Sequence, residues 1–157
     1  MIKTLAIAAA LSAALVTPAA AQSGLLNDWG IADGKAAITA AGATVTDSGT
    51  TNGALYVSGK ATDGMKFLAY GTVCSGTPLR CKGMNLSAGF TQDSDAQVNA
   101  RVKEIDRMAV GARNGGENSL DVNRYIIFDN GITKGNLQTN IEVFLSIAND
   151  IWNGGGK

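Results

Sequence analysis

Histidine does not occur anywhere in the 157-residue chain, and its absence removes several kinds of chemistry. Ser-His-Asp and Cys-His catalytic arrangements need an imidazole base, and histidine-based metal sites need imidazole ligands. The chain also has no S-x-x-K motif, no Walker A loop and no Rossmann G-x-G-x-x-G motif. We therefore expect a protein that is not an enzyme and has no metal or other cofactor.

An excess of charge of either sign is also missing. Thirteen basic residues balance thirteen acidic ones, and no basic cluster is present. Nucleic acids and anionic lipids are recognised largely through clustered Lys and Arg. The sequence therefore predicts no nucleic-acid partner and no electrostatic attraction to a membrane.

Carboxylates are the remaining candidates for acid–base or metal chemistry. Asp93 with Asp95, and Asp121 with Asp129, could form acid–base pairs, but we interpret them as solvated loop and cap residues. The segment 93–104 also places oxygen-bearing side chains at EF-hand ligand positions. Val98 stands where the calcium loop needs glycine for its sharp turn, so the sequence does not predict a calcium site.

The first 21 residues have the pattern of a secretory signal peptide. Lys3 is followed by an uncharged apolar run from Thr4 to Val16, which is shorter than the roughly 20 residues of a membrane span. Small residues precede Gln22, and we expect cleavage between Ala21 and Gln22. The mature protein would then be periplasmic or secreted, have no stable membrane anchor, and form one domain over 22–157 with its core at about 25–152.

Only two cysteines occur, Cys74 and Cys81, with six residues between them. Two cysteines without histidine are too few for a typical zinc site, and the spacing is not the C-x-x-C of thioredoxin-type redox motifs. In an oxidising compartment, such a pair persists as a disulfide. The sequence predicts a structural Cys74–Cys81 bond.

Alternating and helical patterns follow one another along the chain. The stretches 65–73 and 82–90 alternate on either side of the cysteines, which predicts a β-hairpin with Phe67, Ala69 and Val73 on one side. Further strands are predicted at 42–49, 53–60, 108–113 and 119–128. One helix is predicted within 25–42, with Asp33 as its cap. A second is predicted to begin at Ser94, with a capping box to Gln97, and a third to run from Thr133 to Trp152. The order α-β-β-β-β-α-β-β-α predicts an α+β fold.

In the last third of the chain, a predicted strand pair leads to Gly131, Ile132 and Thr133, then to Asn136 and Leu137, and then to a terminal amphipathic helix. This arrangement resembles the YbjN-type domain, a family described as bacterial sensory transduction regulators. Gly42 with Val45, the cysteine-bracketed hairpin and Asn99 fit as well, although the aromatic-Asn pair often expected after Asn99 is absent. The resemblance implies a twisted antiparallel sheet with helices packed on it, akin to type III secretion chaperones and commonly dimeric. It implies no reaction and no ligand.

Two functions remain open at this point. One is an exported binding or regulatory module of the bacterial envelope, sensory or chaperone-like, with a protein or small-molecule partner. The other is a structural or stress-related envelope protein that acts through self-association as a homodimer. Trp29 and Trp152, near the two ends of the mature domain, either complete the core or line an exposed apolar surface for a partner.

Overall fold

A computed structural model describes residues 24–105 and 108–153, and these form an α+β fold. The elements run in the predicted order: α1 (Ile31–Ala40), β1 (Thr44–Thr51), β2 (Ala54–Lys60), β3 (Lys66–Ser75), β4 (Arg80–Thr91), α2 (Asp95–Ile105), β5 (Gly111–Gly116), β6 (Ser119–Ile127) and α3 (Lys134–Trp152). The six strands form one antiparallel sheet in the order β1-β2-β3-β4-β6-β5. The α+β prediction is confirmed.

The three helices pack on one face of this sheet. α1 contacts β1 and β2, α2 contacts β5 and β6, and α3 contacts β4 and β6. Buried side chains of the helices and of the inward strand positions belong to a single core cluster. At its centre the rings of Phe67 and Phe144 lie 6.1 Å apart. Burial of this apolar surface is the main force that holds the helices on the sheet.

The last helix begins and is buried as its sequence pattern indicates. Thr133 is its N-cap, and its hydroxyl accepts a hydrogen bond of 3.0 Å from the Asn136 amide. Apolar residues at helical spacing from Leu137 to Trp152 predict a buried stripe, and this stripe is buried as far as Ala148. Trp152 departs from the prediction, because it is 51% exposed and Ile151 takes the buried position in the last turn.

The first helix begins three residues earlier than the predicted cap, Asp33. Gly30, and not Asp33, is the N-cap, and the Asp33 carboxylate accepts a 2.9 Å hydrogen bond from the Gly30 amide. Trp29 fixes this start, because it is fully buried and its indole N–H donates to the Gly83 carbonyl at 2.8 Å. Tertiary anchoring of the preceding residue therefore sets where α1 begins.

The predicted second helix also differs at its ends. The Gln97 amide donates to the Ser94 hydroxyl at 3.3 Å, as a capping box requires, but the Gln97 side chain accepts from the Asp93 amide and not from Ser94. The helix extends to Ile105. The apolar periodicity of the sequence predicts that its stripe continues to Met108 or Ala109, but both residues are exposed.

Candidate binding surface

The face of the sheet opposite the helices is the main candidate for a functional surface. Strand residues alternate between the two faces, so inward positions such as Ala69 and Leu86 are buried while their neighbours point the other way. On β2, β3 and β4 the outward positions are partly exposed. Within the described residues, all three helices contribute to the core on the first side. We call the opposite side the open face.

Strand register brings all three tyrosines of the chain into one line on the open face. Tyr56 of β2 lies opposite Tyr70 of β3, Tyr70 lies opposite Asn85 of β4, and Asn85 lies opposite Tyr125 of β6. With neighbouring strands about 4.8 Å apart, these four positions span about 14 Å across the sheet. We call these four residues the tyrosine row.

The ring of Tyr56 lies down on the sheet instead of pointing away from it. A Cβ atom built on Gly49, its partner on β1, would be 3.0 Å from the Tyr56 hydroxyl and 3.1 Å from Cε1. The ring therefore occupies the space that a side chain at Gly49 would take. Its hydroxyl donates to the Asp47 carboxylate at 3.0 Å. This hydrogen bond, and then the negative charge of Asp47, raises the pKa of Tyr56.

Tyr125 is fixed in a similar way at the other end of the row. A Cβ atom on Gly83 of β4 would be 2.2 Å from the Tyr125 hydroxyl, so the end of this ring lies over Gly83. The hydroxyl is hydrogen-bonded to the Thr72 hydroxyl of β3 at 2.7 Å. Tyr125 nevertheless remains 51% exposed. Covering of strand glycines by cross-strand aromatic rings stabilises a sheet, and here it also leaves aromatic surface accessible to a partner.

A second row of outward residues lies beside the tyrosine row. It consists of Ser58, Leu68, Ser87 and Asn123, which are opposite one another in register. Three of these, Ser58, Leu68 and Ser87, line a shallow groove of about 690 Å³. That volume lies within the range typical of small-molecule sites, although the groove is open to solvent along its length.

The middle of the open face carries no charge, and charged residues lie at its margins. The eight residues of the two rows are Tyr, Asn, Ser and Leu. Lys60 and Lys66 lie opposite each other two residues beyond the second row, and Lys66 and Asp47 line the groove at this margin. Arg113 and Asp121 form an ion pair of 3.2 Å near the β5 edge. A ligand on the middle of this face would meet hydroxyl, amide and aromatic groups.

A smaller pocket lies on the other side of the molecule, between α1 and α3. It has a volume of about 200 Å³, and its walls are largely small and aliphatic side chains such as Ala37, Ala40 and Leu137. Asp33, Lys134 and Gln138 add polar groups at its rim. This volume is below the range typical of ligand sites, so the pocket is a weaker candidate than the open face.

The predicted disulfide is confirmed. Cys74 and Cys81 are bonded at the loop end of the β3–β4 hairpin, where they lie opposite each other in register. Cys81 is fully buried and pairs through its backbone with Trp29, so the hairpin end also holds the chain that precedes α1. Such a bond is compatible with an oxidising, exported compartment.

Arg80, the residue before Cys81, joins the end of the hairpin to the segment around the start of α1 through ion pairs. Its guanidinium donates to the Asp28 carboxylate at 2.5 Å and to the Asp33 carboxylate at 2.8 Å. The hydrogen bond to Asp28 raises the pKa of Arg80 despite partial burial, so the cation persists at all ordinary pH values. We interpret this cluster as structural, because all three groups are used to hold α1 against the hairpin.

One residue of the predicted hairpin points the other way. Val73 was expected on the same side as Phe67 and Ala69, but it is 71% exposed. Its backbone has φ of +52°, a conformation that is rare for a β-branched residue. This turns the side chain out immediately before Cys74 pairs with Cys81.

Three of the four acidic residues considered from the sequence have structural partners for their carboxylates. Asp95 accepts a hydrogen bond from the Asn118 amide at 3.1 Å, Asp121 is paired with Arg113, and Asp129 lies 3.8 Å from Lys82. Most of the segment with EF-hand-like spacing is helix α2. Across 24–105 and 108–153, no group of three or more Cys, Asp or Glu side chains is arranged to hold a metal ion.

The predicted signal cleavage site, Ala21 and Gln22, lies outside the described residues. In the part of the chain that is described, no helix is both long enough and apolar enough to cross a membrane. Of the two tryptophans, Trp29 is core, whereas Trp152 packs its ring 6.2 Å from Phe90 and is half exposed.

Sequence reasoning did not identify the tyrosine row. Its successive members are 14, 15 and 40 positions apart along the chain and have no local motif. The disulfide does predict one pair of the row. Tyr70 lies four positions before Cys74 and Asn85 lies four positions after Cys81, so pairing of the two cysteines places these residues opposite each other.

Comparison with known proteins adds no relative. No protein-family model, no curated protein and no solved structure matches the chain.

Proposed function

We propose that this protein is a non-enzymatic binding module of the bacterial envelope, periplasmic or secreted, with a sensory or chaperone-like role of the kind that its resemblance to YbjN-type domains implies. The observation that supports this function is the open face with its tyrosine row. Exposed aromatic residues beside a groove are typical of recognition surfaces. The disulfide agrees with an exported protein.

The position of the tyrosines provides a direct experiment. Because all three tyrosines of the chain lie on the open face, a tyrosine-selective reagent reports on that face alone. We would nitrate the protein with tetranitromethane, once purified and once inside cells that export it, and quantify each tyrosine by mass spectrometry. Acetylation of Lys35, which is exposed on α1, is the control for reagent access.

A binding module predicts that Tyr70 and Tyr125 are nitrated more slowly in cells than in the purified protein, while Lys35 is acetylated equally. Equal relative nitration in both settings would show that nothing covers the open face and would refute this function.

A second candidate is a structural or stress-related envelope protein that acts through self-association. The sheet ends in two edge strands, β1 and β5, and nearly every residue of β5 is exposed. Unpaired strand edges can pair with a second copy of the chain. Sedimentation of the purified protein over a range of concentrations tests this candidate. A dimer whose tyrosines are nitrated at the monomer's rate would favour edge pairing, and a monomer at all concentrations would exclude it.

A further inference from the structure

The open face is shaped for an extended ligand that crosses the strands. The tyrosine row spans about 14 Å, and the groove beside it follows the same direction from β2 to β4. A compact ligand would use only one end of this surface. A linear chain of rings would contact the row along its whole length.

Two of the three tyrosine rings, those of Tyr56 and Tyr125, are held in place by contacts with the sheet. Tyr56 is fixed by Asp47 and by its contact with Gly49, and Tyr125 is fixed by Thr72 over Gly83. Rings that are already ordered lose little conformational entropy when a partner binds. The C–H face of a pyranose ring is a flat apolar surface that can pack on such an aromatic side chain.

The polar groups of the face can form hydrogen bonds with the hydroxyl groups of a ligand. The Asn85 and Asn123 amides each offer two donors and an acceptor, and the Ser58 and Ser87 hydroxyls donate and accept. None of the eight residues in the two rows is charged, and the two charged residues that line the groove, Asp47 and Lys66, have opposite signs, so the surface offers no net charge to an ionic ligand. Resting on the proposed binding function, we propose that the tyrosine row and its groove bind a neutral oligosaccharide.

Two other occupants fit the face less well. Nucleic acid needs several Lys or Arg contacts to its phosphates, and the two central rows contain none. A second copy of the chain needs an apolar centre to form a stable interface, and Leu68 is the only aliphatic residue of the two rows. Hydroxyl-rich rings fit the combination of aromatic and amide groups best.

Isothermal titration with defined probes tests the proposal. The neutral probes are chitohexaose, cellohexaose and maltohexaose, and the charged probes are a heparin hexasaccharide and oligo-dT. Tyr70→Ala and Asn85→Ala alter the middle of the row, Tyr70→Phe keeps the ring, and Lys35→Ala on α1 is the matched control. Urea unfolding of each variant checks that the fold is intact.

We expect at least one neutral hexasaccharide to bind. Loss of the Tyr70 ring should weaken its affinity by about threefold to tenfold, while Tyr70→Phe and Lys35→Ala should bind like the wild type. The proposal is overturned if no neutral probe binds at millimolar concentration, if a charged probe binds more tightly, or if a folded Tyr70→Ala variant binds equally well. Slow nitration in cells together with no sugar binding would reject the oligosaccharide but keep the binding function.

Discussion

Reduction of the Cys74–Cys81 disulfide is expected to lower the free energy of unfolding by about 2.4 kcal/mol. The two cysteines are separated by seven positions. The entropy of closing so short a loop in the unfolded chain gives that value, near the lower end of the usual range. A domain of this size is commonly stable by about 5–15 kcal/mol, so the reduced protein should remain folded at room temperature.

Urea unfolding with and without a phosphine reductant measures this loss. Fluorescence follows the transition, because Trp29 is fully buried in the native state. The slope against urea should rise on reduction, since the uncrosslinked chain exposes more surface when it unfolds. The melting temperature should fall by roughly 10 °C. A Cys74→Ala/Cys81→Ala double variant is the control, and reductant should not change its stability.

The size of the loss decides whether loop closure is the correct explanation. A fall below about 1 kcal/mol would refute it, because the hairpin would then restrict the unfolded chain without the bond. A fall well above about 5 kcal/mol would also refute it, since this exceeds what loop closure supplies. The bond would then be needed for native packing of Cys81 against Trp29.

Two further predictions concern the open face. Gly83→Ala should displace the Tyr125 ring and break its hydrogen bond to Thr72, which should lower the free energy of unfolding, measured in urea, by about 1 kcal/mol. Gly89→Ala is the control, because Gly89 also points outward on β4 but the nearest atom to an added Cβ is 3.5 Å away, so its loss should be smaller. Equal losses in the two variants would contradict the placement of the Tyr125 ring. Asp47→Asn should lower the pKa of Tyr56 toward its usual value, because the change removes the charged acceptor of the Tyr56 hydroxyl. NMR titration of the tyrosine Cζ signals measures this pKa. An unchanged pKa would exclude the hydrogen bond between Tyr56 and Asp47. Because the pKa of Tyr56 is raised in the folded protein, its hydrogen bond to Asp47 stabilises the fold below about pH 10. This stabilisation is lost as the pH rises through the pKa of Tyr56.

Local patterns in the sequence were sufficient for the elements and their order. The strands of the hairpin, the Thr133 cap and the buried stripe of α3 depend on neighbours a few positions away, and they are found where their patterns indicate, except that Val73 and Trp152 are exposed. Other differences occur where distant parts of the chain decide the local structure. Trp29 is held by the Gly83 carbonyl and Cys81, so α1 begins at a residue that its own sequence does not mark.

The open face shows the same limit at the level of the sheet. Alternation within a strand separates inward from outward residues, but it does not tell which outward residues of different strands become neighbours. The disulfide fixes that relation for β3 and β4, and it places Tyr70 opposite Asn85. The pairing of Tyr56 with Tyr70 depends on the connection between β2 and β3, and that of Asn85 with Tyr125 depends on a crossover through α2 and β5. The tyrosine row can therefore be predicted only when the strand order and register are known. Its central pair, Tyr70 and Asn85, is the exception, because the two cysteines determine that these residues lie opposite each other.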